Sequence, residues 1–156
     1  MIPRISKHSM VAVSEGGQAI SVSVRGHTVR TDQPVSSGGA DSAPTPLEMM
    51  SVALSACVAL YVQRYCDVNQ LDAPGVMVEV NPVWNPDPGR VGRFDVLLHL
   101  PGTLPVLHRE ALEAVARSCP VHHTLALGSE IAVKIVGGPP ETGRATVALR
   151  GVAREV

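Results

Sequence analysis

Aromatic residues are nearly missing from this chain: one Trp, two Tyr and one Phe make up 3% of its 156 residues. A stacking platform for bases or sugars is not expected from so few rings, and the core has to be aliphatic. There is no basic run, and the formal net charge is −1 with 17% charged residues, so nothing marks a nucleic-acid partner. Only three cysteines occur, and the opening M-I-P-R-I-S-K-H lacks the apolar stretch of a signal peptide. These features argue against a disulfide scaffold and lead us to expect a reduced, cytoplasmic setting, where a cysteine serves packing, metal binding or chemistry. No flavin, haem or nicotinamide motif is present, so no cofactor is expected. The length suggests one domain over 1–156. At this size roughly 70% of the unfolded surface can be buried without covalent staples.

What the chain does have is one long apolar run, Thr45 to Cys66. Thr45 suits a helix cap, Pro46 the first helical position, and Glu48 completes a T-x-x-E capping box. From Leu47 to Val62 the only charge is Glu48. A helix apolar on nearly all sides is normally the buried centre of a domain, so we expect a central helix of about five to six turns with Cys57 at its midpoint. The run is short and rich in Ala and Ser for a membrane span, and it turns polar at its end, so no membrane is expected.

Around this helix the remaining elements read as α+β. Residues 9–31 alternate apolar and polar, as in Ile20, Val22 and Val24 against Ser21, Ser23 and Arg25, and predict three short antiparallel strands. Asp32 to Pro44 is a Gly-, Ser- and Pro-rich loop leading into the helix. Pro74-Gly75 introduces a strand through Val76, Val78 and Val80; the proline-rich 81–90 stretch reads as a connection; and 91–100 reads as the return strand, ended by P-G-T. A second helix is expected over 105–118, a short helix or turn after Cys119-Pro120, and a last core strand over 130–136. A linker and a tail that could pair at an edge complete the chain. Hairpins dominate over crossovers, with the helices segregated.

The chemistry rests on the cysteines. Cys57 and Cys66 are nine residues apart on one helix. Nine steps of ~100° place them on opposite faces, and nine rises of ~1.5 Å separate them by ~13 Å. A disulfide needs Cα atoms within ~7 Å, so these two cannot pair in an intact helix, and they cannot share one zinc ion within one chain. Any pair involves Cys119, with Cys57 the better partner from its place in the buried middle. A plain core role for Cys57 stays open beside this. Cys119 precedes Pro120 at a helix start, where free N–H groups and the dipole favour a thiolate. Two other readings of that segment are a cap followed by solvated His122 and His123, and a metal site of Cys119, His122 and His123 with Cys57 or Cys66. The tight C-x-x-C spacing of structural zinc is missing. On residue physics alone Cys119 has the clearer thiolate-favouring setting, and Cys57 needs a nearby cation.

Two signatures, P-T-P-L-E-M-M-S-V-A-L-S-A-C (44–57) and A-R-S-C-P-V-H-H-T-L (116–125), resemble the two cysteine motifs of the OsmC/Ohr family of osmotically inducible and organic hydroperoxide resistance proteins. The resemblance covers roughly 20–137 and leaves 138–156 as a tail. It implies an OsmC-like fold, an intertwined homodimer and a thiol peroxidase acting on organic hydroperoxides with an external dithiol reductant. Carried over by position, Cys57 attacks the peroxide and Cys119 resolves the sulfenic acid. An arginine from the N-terminal strands, Arg25 with Arg30 as the alternative, and a glutamate at the helix start, Glu48, would stand beside the thiolate. In the hydroperoxide resistance branch that glutamate directly follows the helix-initial proline. Here Leu47 holds that place and Glu48 falls one residue later, which suits a cap as well and points to the broader OsmC-like branch. The rival expectation is a non-catalytic protein holding a small ligand on the same dimeric fold.

Overall fold

The structure, a computed structural model, describes residues 9–71, 76–100 and 107–138. Its contacts divide the chain into two compact units, Met1–Pro46 with Lys134–Val156, and Leu47–Val133.

The first unit holds strands β1 (Val11–Gly16), β2 (Ala19–Val24) and β3 (His27–Thr31) in one antiparallel sheet of order β1-β2-β3. The expected three-stranded meander is there. Val24 pairs with His27, and the two residues between them, Arg25 and Gly26, take φ of 50° and 82°. Two left-handed residues give the turn whose twist matches the strands it joins. The β1–β2 register shifts between Ser14 and Gly16, at Glu15. The Glu15 carboxylate accepts from the Ser21 hydroxyl and pairs with Arg30 at 2.7 Å. The loop after β3 is tied down rather than loose. Asp32 is only 2% exposed, and its carboxylate accepts from the main-chain N–H of Gln33, Ala40 and Ser42 at 2.8, 3.2 and 3.1 Å, and from the Ser42 hydroxyl at 2.7 Å. A short 3-10 turn, Val35–Ser37, lies inside that clasp.

The second unit holds α1 (Pro46–Val68), β4 (Met77–Pro86), β5 (Gly89–His99), α2 (Leu107–Arg117) and α3 (Pro120–Leu127). Strands β4 and β5 form an antiparallel hairpin. Its inner face presents Val78, Val80, Phe94, Val96 and Leu98 to the core, whose buried centre is Leu54, Val58, Val62, Cys66, Leu112, Ala116 and Cys119. The buried residues of α1 recur every four positions, so one i, i+4 ridge faces the core. By length and composition α1 alone among the described helices could cross a membrane, a property that core helices of soluble proteins share.

The structure corrects three expectations. Residues 81–90 are not a connection: the strands run to Pro86 and from Gly89, with Pro82 opposite Phe94. Among the described residues β4 pairs with β5 alone, so it has a free edge on which prolines without N–H groups cost no ladder bond. Residues 130–136 form no strand, and Ile131, Val133 and Ile135 are 84%, 86% and 101% exposed. No described strand edge pairs with this alternating segment, and alternation without a ladder partner does not make a strand. Finally, α1 is not buried all round. Leu47, Met50, Val52 and Leu60 are exposed, because one hairpin and two short helices cover only one face of it. The proposed Pro74-Gly75 strand entry, the start of the second helix at 105–106, the P-G-T at 101–103, most of the 137–143 linker and the tail beyond it lie outside the described residues.

Candidate active site

Three elements of the second unit bring two thiols together. Cys57 sits at mid-α1 between Leu54 and Val58 of the buried ridge, so its side chain lies at the margin of the core and is half-buried. Cys119 ends the turn after α2 and caps α3, where it is fully buried. Its extended backbone lets the sulfur turn back onto the helix it begins, and Sγ accepts from the His122 N–H at 3.2 Å. Pro120 at the first helical position needs no partner for a missing N–H. Cys57 packs against the core cluster that holds Cys119, near enough for its thiol to act on the ionisation of the Cys119 thiol. All three cysteines are unbridged.

The electrostatics of Cys119 differ from what a helix start alone suggests. Burial pushes its thiol above the ordinary cysteine range, and the Cys57 thiol adds to the rise. The His122 and Val121 N–H groups act the other way and do not offset it. The helix end gives two donors, but a sulfur removed from water loses more solvation than two neutral donors return. Cys66 is buried as well, and burial raises its thiol too, with Asp67 beside it in sequence adding to this. The sequence placed Cys66 where α1 turns polar, yet it lies on the buried ridge in register with Leu54, Val58 and Val62.

A cavity of about 470 Å³ opens between α1, β5, α2 and α3; neither cysteine lines it, although Leu54 and Val58 flank Cys57 along α1. Leu54, Val58, Phe94, Val96 and Leu98 form its apolar wall, and Arg109, Glu113, Arg117 and His122 its polar rim. Arg117 pairs with Glu113 one helical turn before it. Composition gave no hint of this rim, whose charges come from the outer face of α2. His122 is the residue the sequence undervalued. Its ring is half-buried, and Nδ1 donates to the Arg117 carbonyl at 2.5 Å, while His123 is exposed. The legible signal was the position three residues after a capping cysteine, where a main-chain N–H must point back at the cap.

The remaining candidates are Glu48, Arg25 and Arg30. Glu48 is exposed in the first turn of α1. Arg25 and Arg30 belong to the first unit, Arg25 at the exposed β2–β3 turn and Arg30 on β3, held by Glu15. Among the described residues no group of three or more His, Cys, Asp or Glu converges as metal ligands.

Comparisons with known proteins agree with the order of these elements. Solved structures of similar shape include a protein of Psychrobacter arcticus 273-4 assigned to osmotic stress induction and detoxification response, with a TM-score of 0.69, 21% identity, and 76% of this chain and 88% of that one covered. An OsmC-like protein of Mycoplasma pneumoniae matches with a TM-score of 0.61 at 19% identity, over 78% and 89% of the two chains. A protein of Vibrio cholerae assigned to organic hydroperoxide resistance, with captopril bound in one of its active sites, matches with a TM-score of 0.51 at 18% identity, over 79% and 88%. A search of curated proteins gives no match. The profile of the OsmC-like protein family matches residues 38–134, a span that carries α1, the β4–β5 hairpin and both Cys57 and Cys119, and the chain therefore belongs to that family.

Proposed function

We propose that this protein is a thiol-dependent peroxidase that reduces organic hydroperoxides. The observation that carries the reading is the closeness of a half-buried Cys57 thiol to a fully buried Cys119 thiol. A two-cysteine peroxidase needs that asymmetry: one sulfur within reach of substrate, the other withheld until the first is oxidised. The Cys57 thiolate attacks the distal oxygen of the hydroperoxide, the O–O bond breaks to leave Cys57 as a sulfenic acid, and the departing alkoxide takes a proton from water and leaves as the alcohol. Cys119 then attacks that sulfur, water departs, and a disulfide remains. An external dithiol reduces it by exchange.

An apolar wall that includes Leu54 and Val58, the neighbours of Cys57 along α1, suits an organic peroxide better than hydrogen peroxide, which gains nothing from such a wall. The resistance to organic hydroperoxides assigned to the Vibrio cholerae neighbour is of the same class. Arg25, or Arg30 in its place, supplies the cation that favours the Cys57 thiolate and the leaving alkoxide, and Glu48 orients it. The working unit in this proposal is a homodimer in the reducing cytoplasm. A second reading, a non-catalytic protein that holds a small apolar ligand, is favoured by the same 470 Å³ cavity.

Intact mass and non-reducing peptide mapping after one equivalent of an organic hydroperoxide separate the two. The peroxidase loses the Cys57 and Cys119 thiols together as one disulfide. Cys57→Ser abolishes consumption, while Cys119→Ser consumes one equivalent and holds a sulfenic acid on Cys57. Slow, independent loss of the two thiols defeats the proposal and leaves the binding protein.

A further inference from the structure

We infer that the His122 ring is a tether that keeps Cys119 placed for its reaction with Cys57: from the first turn of α3 it bonds the last carbonyl of α2, and so fixes the turn that carries the sulfur. His122 is in this a positioning residue, and the inference rests on the Cys57–Cys119 reading.

Only Ser118 and Cys119 separate the end of α2 at Arg117 from the start of α3 at Pro120. The end of α2 is fastened within itself. The Ser118 N–H binds the Ala114 and Val115 carbonyls at 3.1 and 3.0 Å, and the Ser118 hydroxyl donates to the Val115 carbonyl at 2.7 Å. The start of α3 is likewise internal. The His123 N–H binds the Cys119 carbonyl at 3.1 Å, and the Thr124 hydroxyl donates to the Pro120 carbonyl at 2.8 Å. None of these bonds joins one helix to the other. His122 does so: its Nδ1 donates to the Arg117 carbonyl, five residues back, at 2.5 Å. That carbonyl belongs to the last turn of α2, where a helix has no internal donor to offer. The main-chain N–H of the same residue binds Cys119 Sγ at 3.2 Å. One residue therefore grips both the chain ahead of Cys119 and the sulfur itself.

The two grips fare differently when the disulfide forms. The S–S bond forms as the S–O bond of the sulfenic acid breaks, and the hydroxide leaves as water with the Cys119 proton. Sγ has to turn toward Cys57, and a disulfide sulfur accepts a hydrogen bond more weakly than a thiolate. The main-chain bond to Sγ is thus weakened by the reaction it prepares. The ring bond does not involve the sulfur and lasts through the cycle, since Nδ1 donates to a carbonyl whatever the charge on the ring. It keeps the α2–α3 turn closed while the sulfur changes partner. Without it the turn has to recover its geometry before each attack, and a loosely held nucleophile reacts more slowly than one fixed near its target.

The test reads the Cys119 step without peroxide. Treatment with 4,4′-dithiodipyridine releases one thiopyridone as Cys57 becomes a mixed disulfide. The Cys119 thiol then displaces a second, which carries off its proton as the Cys57–Cys119 disulfide closes; peptide mapping assigns both. The quantity read is the rate of the second release relative to the first. In His122→Ala this ratio is expected to fall roughly five- to tenfold, the worth of one hydrogen bond. His122→Asn, whose side-chain amide places an N–H where Nδ1 stands but has no ring, restores most of it. His122→Leu, which keeps bulk without a donor, stays slow and carries the comparison if the alanine variant does not fold. A parent ratio in the alanine or leucine variant overturns the inference, as does an asparagine variant as slow as the leucine one. A parent protein with no second release overturns the cysteine pairing and the tether with it. If the releases behave as expected but organic hydroperoxide never yields a sulfenic acid, the peroxidase reading alone fails and the tether stands.

Discussion

Among the individual residues, burial separates three cysteines that composition cannot tell apart. Cys66 is fully enclosed on the α1 ridge and is not one of the paired thiols. Cys66→Ser is expected to preserve peroxide turnover but to lower stability by about 1–3 kcal/mol, the cost of a hydroxyl placed among apolar side chains. Urea denaturation checks the second part, and loss of turnover in a folded variant would defeat the division of roles. Asp32 gives a prediction with a pH signature. The Ser42 hydroxyl, then the main-chain N–H groups of Ser42, Gln33 and Ala40, hold its carboxyl at about 2 against an ordinary 3.8. A depressed folded value means the stabilisation is full above the unfolded value and is lost as pH falls through the folded one. Asp32→Asn should therefore melt below the parent protein at pH 5, and the gap should close as pH falls toward about 2. A gap that persists at low pH would show that the clasp does not depend on charge.

The secondary-structure elements depend on a few contacts each. The α1 ridge meets α2 through Leu112, which has no exposed surface. Leu112→Ala removes a side chain that the surrounding helices cannot close over, and a loss of about 2–5 kcal/mol is expected from the denaturation midpoint. In the loop before α1, Gly39 leaves no room for a side chain: a Cβ there would run into the main-chain carbonyl of Gln33. Gly39→Ala should open the Asp32 clasp and expose residues 33–42 to limited proteolysis, while the β4–β5 hairpin keeps its resistance. Equal sensitivity in parent and variant would show that the loop is open already.

The whole molecule is marked by apolar surface that its described residues do not cover. Leu47, Met50, Val52 and Leu60 lie open on α1, and Ile131, Val133 and Ile135 are 84%, 86% and 101% exposed on a segment without a strand partner. Exposure of this kind is unusual for a monomer and common at an interface. A homodimer is expected by light scattering at micromolar concentration, with Leu60→Asp shifting it toward monomer. A monomeric parent protein would defeat the expectation.

Local sequence determined the elements whose causes are local. The β2–β3 turn follows from Arg25-Gly26, which can take the left-handed pair. The start of α1 follows from Pro46 and the start of α3 from Cys119-Pro120. Sequence also narrowed the thiol pair to partners of Cys119, because helical geometry forbids Cys57 with Cys66. Only the tertiary structure decided which face of α1 is buried, since a helix apolar all round carries no pattern to choose by. It decided as well that 130–136 has no ladder among the described residues and that prolines fit β4, because both depend on which strand edge lies alongside. And it reversed the electrostatics of Cys119: the helix start is written in the sequence, but the loss of water around the sulfur comes from the packing of α1, α2 and the hairpin.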